Sequence, residues 1–400
     1  MVGYAKYLDE FKKGNNMKKI FILAYYFPPY KGVSCFRTSK FVKLLPAHGW
    51  EPTVFTVHPK YYKNNFIKNL KPQIDSSNII KIPYINFPGN ALIIKILFPL
   101  IALTTFILNK KKFSAFYTSG SPYHPFILTS IITGVFKKPS IIDFRDPWSY
   151  NYGFDGRNGT FLKKLISFFI YSPIEIISIK YASKVCFATS VLKNEYSELI
   201  PKFKNKYITI PNGIDTEDFK NIKPIKISRK FNIIVTGKIF MYTPGAVKNI
   251  LKYLTKNKNI HFIYIGTEDK TISKLAVKYN VKSQVTSLPF MPYKKVLNYI
   301  AGADATITST GLKFQIGTKI FDYLFLNKPV LCLSPKDSIV SKTLKTNKNI
   351  LISEEPHSFC NIQKNLDNLQ KIQSQSIDKS FIPTRQDSTK TLASILNKIS

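Results

Sequence analysis

Three stretches of this chain set a glycine beside a cation where a strand gives way to a helix. "GTKIFDYLFLNKPVL" (317–331) places Gly317, Thr318 and Lys319 at what reads as a helix mouth, with Asp322 three residues beyond the lysine. A helix N-terminus carries partial positive charge and favours anions. A lysine there makes sense if an anion arrives, although a surface pair between Lys319 and Asp322 at i, i+3 explains the same spacing. On that helix both point away from the apolar Ile320, Phe321 and Leu324. "VTGKIF" ends a strand with Gly237 and Lys238, where a solvated lysine is an equally ordinary reading. "PPYKGVSCFRTSKF" puts Gly32 after the first strand, where a missing Cβ lets backbone amides approach a ligand, with Arg37 in the helix beyond; a plain strand-to-helix turn fits too. The shared chemistry would be neutralisation of phosphate by amides, helix ends and cations. The P-loop pattern, G-x-G-x-x-G and any Asp-x-Asp triplet are absent, which turns the expectation away from metal-dependent nucleotide chemistry and from a bound metal or cofactor.

These groups need elements to hold them. "KKIFILAYYFPP" (18–29) is an apolar run stopped by prolines, "RTSKFVKLLPAHGW" has helical spacing, and "EPTVFTV" reads as a second strand. The alternation recurs through "FSAFYTSG", "PSIIDF" and "KVCFATS", pauses at the turn residues of "YITIPNGIDTEDF" (207–219), and restarts with "FNIIVTGK", "IHFIYIGT", "VTSLPF", "DATITST" and "KPVLCLS". Strands alternating with helices imply parallel, doubly wound sheets. The expected organisation is an extension over 1–16, an α/β domain over 17–211, a second over 212–380 and a terminal helix over 381–400 that can pack on either half. Two such halves would leave a cleft facing the carboxyl ends of both sheets.

Composition narrows the class of partner. The 400 residues carry 59 Lys and Arg against 23 Asp and Glu, a net charge of +36. That excess fits a polyanionic partner, codon bias from an AT-rich genome being the alternative. The lysines are scattered and no basic stripe, zinc-finger spacing or RNA-binding aromatic signature accompanies them, which favours an anionic membrane surface over nucleic acid. Cys35, Cys186, Cys332 and Cys360 are far apart with no C-x-x-C pair, the usage of a reducing cytosol. The first residues are charged throughout and lack the apolar core of a signal peptide. "ALIIKILFPLIALTTFIL" (91–108) gives about 27 Å of helix against a hydrocarbon core of about 30 Å, interrupted by Lys95 and Pro99 and followed by Lys110, Lys111 and Lys112. It fits a helix lying on an anionic leaflet, a buried core helix or a span. "FLKKLISFFIYSPIEIISIKYA" (161–182) carries charges at intervals and reads as a packed helix with one face free for lipid.

Four stretches together resemble family 4 glycosyltransferases, which are GT-B enzymes, in the branch that builds bacterial surface polysaccharides. They are "AYYFPPYKGVSCFRTSKFVKLLPAHGW", "IIDFRDPWS", "IPNGID" and "GTKIFDYLFLNKPVL", in the family's order and spacing from about Lys18 to Leu333. The resemblance implies two Rossmann-like domains with an interdomain cleft and a metal-independent, retaining transfer of sugar from a nucleotide-diphosphate sugar. The implied acceptor is a glycan, expected on a polyprenyl diphosphate at the inner face of the plasma membrane. It places Gly32, Lys238, Gly317 and Thr318 on the donor side, Lys319 at the leaving diphosphate, and Asp322 at the ribose as counterpart of the second glutamate in the family's E-x7-E element; Arg37, Gly237 and Phe290 are further donor-side candidates. Phe314 stands where the first glutamate is usual, with Gln315 next to it, and Thr243 and Pro244 stand near the family's second cation. His124 is the histidine whose topology suits a sugar contact, a helix-start role being the alternative. Asp146 in "FRDPW" is the acceptor-side candidate, with Arg145 as its structural partner; a turn locked by Pro147 and Trp148 is the competing reading. A non-catalytic scaffold that keeps the fold and binds a nucleotide sugar is the alternative function.

Overall fold

The computed structural model describes residues 17–30, 35–63, 78–149, 161–311, 313, 316–372, 376 and 378–400. It divides into two compact units, Met1–Asn212 with Arg385–Ser400, and Gly213–Thr384. The C-terminal helix, Arg385–Ile399, thus belongs to the first unit.

Among the described residues the first unit has seven strands: β1 (Lys18–Leu23), β2 (Trp50–Val57), β3 (Ile79–Ile82), β4 (Ala115–Ser119), β5 (Ser140–Phe144), β6 (Lys184–Phe187) and β7 (Tyr207–Thr209). They form one sheet in the order β3-β2-β1-β4-β5-β6-β7, and each pairing is parallel, with Lys18 opposite Trp50 and Ile20 opposite Ala115. Every residue of β4 and β5 is buried, as a parallel sheet covered on both faces requires. Alternate side chains go to opposite faces. Ile20, Ile22, Val54 and Tyr117 pack with α1 (Phe36–Leu44) and the C-terminal helix, whereas Phe21, Leu23, Phe55 and Phe116 pack with α2 (Asn90–Asn109).

α2 is the 91–108 segment, and its two faces differ sharply. Ile94, Phe98, Ala102 and Phe106, at i+4 spacing, enter the core. Leu92, Ile96, Leu100 and Leu108 are 59–84% exposed on the other face. The second apolar segment forms α3 (Phe161–Ile166), a π-helical turn over Ser167–Tyr171 and α4 (Ser172–Tyr181). Phe161, Phe168 and Phe169 are exposed there, while Ser178 and Ile179 are buried.

In the second unit β8 (Phe231–Thr236), β9 (Ile260–Gly266), β10 (Val285–Pro289), β11 (Ala305–Ser309), β12 (Val330–Ser334) and β13 (Ile350–Glu354) make a parallel sheet ordered β10-β9-β8-β11-β12-β13. α5 (Pro244–Lys256) covers one face, with Val247, Ile250, Leu251 and Leu254 against Ile233, Val235, Phe262 and Tyr264. α6 (Asp269–Lys278), α7 (Tyr293–Gly302) and α8 (Thr318–Phe325) follow β9, β10 and β11. Each sheet reverses its winding once, between β1 and β4 and between β8 and β11. Doubly wound sheets bind ligands beyond the strand ends at such reversals. β3, β7 and β13 were not expected from the sequence. All three are edge strands, and each buries only one or two of its residues.

Candidate functional site

The reversal point of the second sheet gathers most of the donor-side candidates. β8 ends at Thr236, and Gly237 follows in the left-handed region at φ +74°. Its N–H donates to the Ile265 carbonyl at 2.7 Å. A Cβ on Gly237 would lie 2.2 Å from Lys319 Nζ, so the ammonium rests directly on the bare Cα. Lys319 Nζ donates to the Thr236 carbonyl at 2.7 Å. Gly317 caps α8, and the Tyr323 hydroxyl ties that helix to β8 through Thr236 Oγ1 at 2.9 Å. Lys238 is exposed beside this cradle. Gly237, Lys238, Gly317, Thr318 and Lys319 therefore come together as a cationic lip at a helix N-terminus.

Asp322 departs from its expected position. It is only 6% exposed and sits among the buried residues of α8. α7 approaches that side of the helix, and the Tyr293 hydroxyl donates to Asp322 Oδ1 at 2.7 Å. The aspartate is thus oriented from a neighbouring helix, and its face of α8 is not the solvated one. Phe290 lies just past β10, three residues before Tyr293, and is 38% exposed.

Burial pulls the Lys319 ammonium down to about 8, opposed by the Asp322 and Glu268 carboxylates and reinforced by Lys238. Two like charges converge on a half-buried spot where the helix dipole is also unfavourable to a cation. An arriving polyanion would offset the like-charge repulsion and the helix dipole together.

No protein-family model matches the chain, and no match is found among curated proteins. Solved structures do match along almost the whole length. A glycosyltransferase from Rickettsia africae ESF-5 superposes with a TM-score of 0.65 at 14% identity, covering 96% of this chain and 99% of that one. WaaG, a glycosyltransferase involved in lipopolysaccharide biosynthesis, gives 0.62 at 15% identity over 94% and 95%. Anabaena Alr3699/HepE, solved in complex with UDP and glucose, gives 0.58 at 12% identity over 96% and 97%. The fold is GT-B. At these identities the likeness establishes architecture, and what the GT-B chain does has to be argued from its own side chains.

The first-unit candidates do not form a comparable cluster. Gly32 lies outside the described residues, as do Phe314 and Gln315. Arg37, expected at the donor phosphates, is 2% exposed. Its Nε and Nη2 donate to Asp143 at 2.7 and 3.1 Å, and its Nη1 to the Pro211 carbonyl and Asn212 Oδ1. Asp143 also accepts from the Tyr117 hydroxyl at 2.5 Å. The inward face of α1 turns the guanidinium toward β5, where it serves as a core ion pair.

His124 follows β4, as anticipated, and opens a short helical turn. Its Nε2 lies 2.9 Å from the Lys95 carbonyl in α2. The reason is covalent. Pro99, four residues on, has no N–H to offer that carbonyl, and the His124 ring supplies the missing donor. Burial pushes the His124 pKa below the ordinary imidazole value, partly offset by this bond. Asp146 is half-buried after β5, and its carbonyl accepts from the Tyr123 hydroxyl at 3.0 Å. Arg145 Nε donates to the Gly120 carbonyl. Trp148, 5% exposed, stacks on Tyr123 with ring centroids 5.7 Å apart, so the "FRDPW" turn is anchored by aromatic packing.

Sequence reasoning did not single out Asp143, Glu268 or Tyr293. Glu268 and Tyr293 each stand just past a strand's carboxyl end, and that position was the available signal. The partner of Asp143 is set by tertiary packing across 106 residues, which no local pattern reveals.

Proposed function

We propose that this GT-B chain is a retaining, metal-independent glycosyltransferase that moves a sugar from a nucleoside-diphosphate sugar to a lipid-linked surface glycan. The observation that supports it most is the Lys319 ammonium seated on Gly237 at the mouth of α8, with Lys238 alongside. As the glycosidic bond breaks, negative charge builds on the leaving diphosphate. Fixed cations and helix amides stabilise that charge, each such donor typically lowering the barrier by about 3 to 4 kcal/mol. Asp322, held by Tyr293, is the candidate for the ribose hydroxyls, and Asp146 remains the acceptor-side carboxylate. The net charge of +36 and the exposed face of α2 support work at the inner, anionic membrane surface.

The test is donor turnover by the full chain with UDP-, GDP- and dTDP-sugars and polyprenyl-diphosphate glycans, with and without EDTA. Wild type should bind one donor class and transfer with EDTA present, and Lys319→Gln should lower kcat by about 100- to 1000-fold. Clear donor binding with no transfer to any acceptor would favour the scaffold. Turnover abolished by EDTA would refute metal independence.

A further inference from the structure

We propose that Glu268 is a positioning residue of the donor site: its carboxylate occupies the concavity formed by three successive main-chain amides after β8 and thereby fixes the loop that presents Gly237 and Lys238 to Lys319. This rests on the donor reading of the same cradle. Glu268 lies two residues past the end of β9. Its Oε2 accepts from the N–H groups of Ile239 and Phe240, both at 2.9 Å, and its Oε1 from that of Met241, also at 2.9 Å. Its own N–H donates to the Tyr264 hydroxyl at 2.9 Å. Consecutive amides aimed at one point make an anion-binding nest. Here the anion is built into the chain.

Two consequences follow from that geometry. The amides of Ile239, Phe240 and Met241 are already satisfied, so recognition of the diphosphate falls to Lys238, Lys319 and the first turn of α8. The same carboxylate also acts on the lysine. The groups facing Lys319 are Asp322 on its own helix, Glu268 from the turn after β9 and Lys238 from the loop after β8. The Tyr323 hydroxyl lies on Thr236 and that of Tyr293 on Asp322. Two negative charges hold the ammonium protonated against burial and against Lys238. Glu268→Gln keeps the shape, removes one of those charges and leaves only one good acceptor for three amides.

The experiment is calorimetric titration of the full chain with UDP, GDP and dTDP from pH 6.5 to 9.5, comparing wild type, Glu268→Gln and Glu268→Asp. In wild type, affinity should fall as pH rises through about 8, where Lys319 loses its proton. In Glu268→Gln it should be weaker by roughly tenfold to a hundredfold at neutral pH, with the fall displaced to lower pH. Glu268→Asp keeps the charge but shortens the reach, so it should lose affinity while the pH of the fall stays near the wild-type value. Should Glu268→Gln not fold, the Asp variant and faster hydrogen exchange at residues 239–241 carry the test. Wild-type binding with an unchanged Glu268→Gln affinity and pH profile would overturn the positioning role alone. Tighter binding by the Gln variant would overturn it too, by making Glu268 a competitor. Wild type that binds none of the three nucleotides would overturn the donor reading itself.

Discussion

Replacing His124 by alanine separates a structural histidine from a sugar-contacting one. The Lys95 carbonyl is an interior acceptor of α2 whose helical donor is missing because residue 99 is proline, and His124 Nε2 at 2.9 Å is its replacement. Removing the ring leaves a carbonyl with no donor beside a packed helix. An unsatisfied buried polar group costs about 1–3 kcal/mol, and each kcal/mol moves Tm by roughly 2–4 °C for a domain of this size. His124→Ala should therefore lower the Tm of the full chain by several degrees. The decisive variant is the double substitution Pro99→Ala with His124→Ala. Alanine at 99 restores an N–H to the Lys95 carbonyl, so the double variant should recover most of the lost stability. Differential scanning calorimetry of wild type, the two single variants and the double variant gives the coupling energy directly. Two simply additive losses would refute the compensation. An unchanged Tm for His124→Ala, together with a higher KM for the donor sugar, would return the residue to the substrate.

Other substitutions probe the cradle and the core. Gly237→Ala puts a Cβ at φ +74° and within 2.2 Å of Lys319 Nζ, so nucleotide affinity should drop tenfold or more while thermal stability falls by only about 1–2 kcal/mol; an unaffected Kd would separate Lys319 from the ligand. Breaking the Arg37–Asp143 pair with Arg37→Met should destabilise by about 3–5 kcal/mol because a buried carboxylate loses its counter-charge, as read from urea unfolding. An Arg37→Met protein of normal stability that no longer binds donor would restore the phosphate role expected from the sequence.

Sheets and helices were legible where pattern and length agreed. The buried runs of β1, β4, β8, β9 and β12 stand out as apolar segments between turns, because a parallel strand covered on both faces has no polar side to show. β3, β7 and β13, each burying only one or two of its residues, did not stand out. The cationic lip was legible as glycine plus lysine after strands and before α8. Of its electrostatic partners, Asp322 at i+3 was legible and Glu268 was not. Lys319 and Asp322 share a helix, and spacing alone suggested that they serve each other. The structure gives each a different hydrogen-bonding partner, Thr236 and Tyr293, drawn from elements 83 and 29 residues away. Arg37 had the right type and neighbourhood for a phosphate ligand, but only the packing of α1 on β5 decides that it faces Asp143. His124 was picked for its place after a strand, while the residue that explains its hydrogen bond, Pro99, sits in another element.

α2 poses a choice among a core helix, a span and a helix lying on a leaflet, and its inner face is packed in the core while its outer face is exposed. It is long and apolar enough to cross a membrane by length and composition. Crossing would strip Ile94, Phe98, Ala102 and Phe106 from the core that they build with Phe21, Phe55 and Phe116, at a cost of about 1.5–3 kcal/mol for each large side chain. An ordinary core helix, in turn, does not leave Leu92, Ile96, Leu100 and Leu108 between 59 and 84% exposed. Moving those four into an acyl boundary without disturbing the inner face is worth about 4–8 kcal/mol, taking roughly two thirds of each side chain's transfer energy. Lys110, Lys111 and Lys112 at the helix end add attraction to anionic lipid, about 1 kcal/mol per residue near the surface. The membrane-bound geometry proposed for α2 is a helix that keeps its core contacts and lays its outer face on the leaflet. Leu100→Glu should then weaken flotation with anionic vesicles by roughly 5- to 30-fold, the factor for a loss of about 1–2 kcal/mol, without changing Tm. Ala102→Glu should instead unfold the domain. Equal flotation of Leu100→Glu and wild type would remove α2 from the membrane contact.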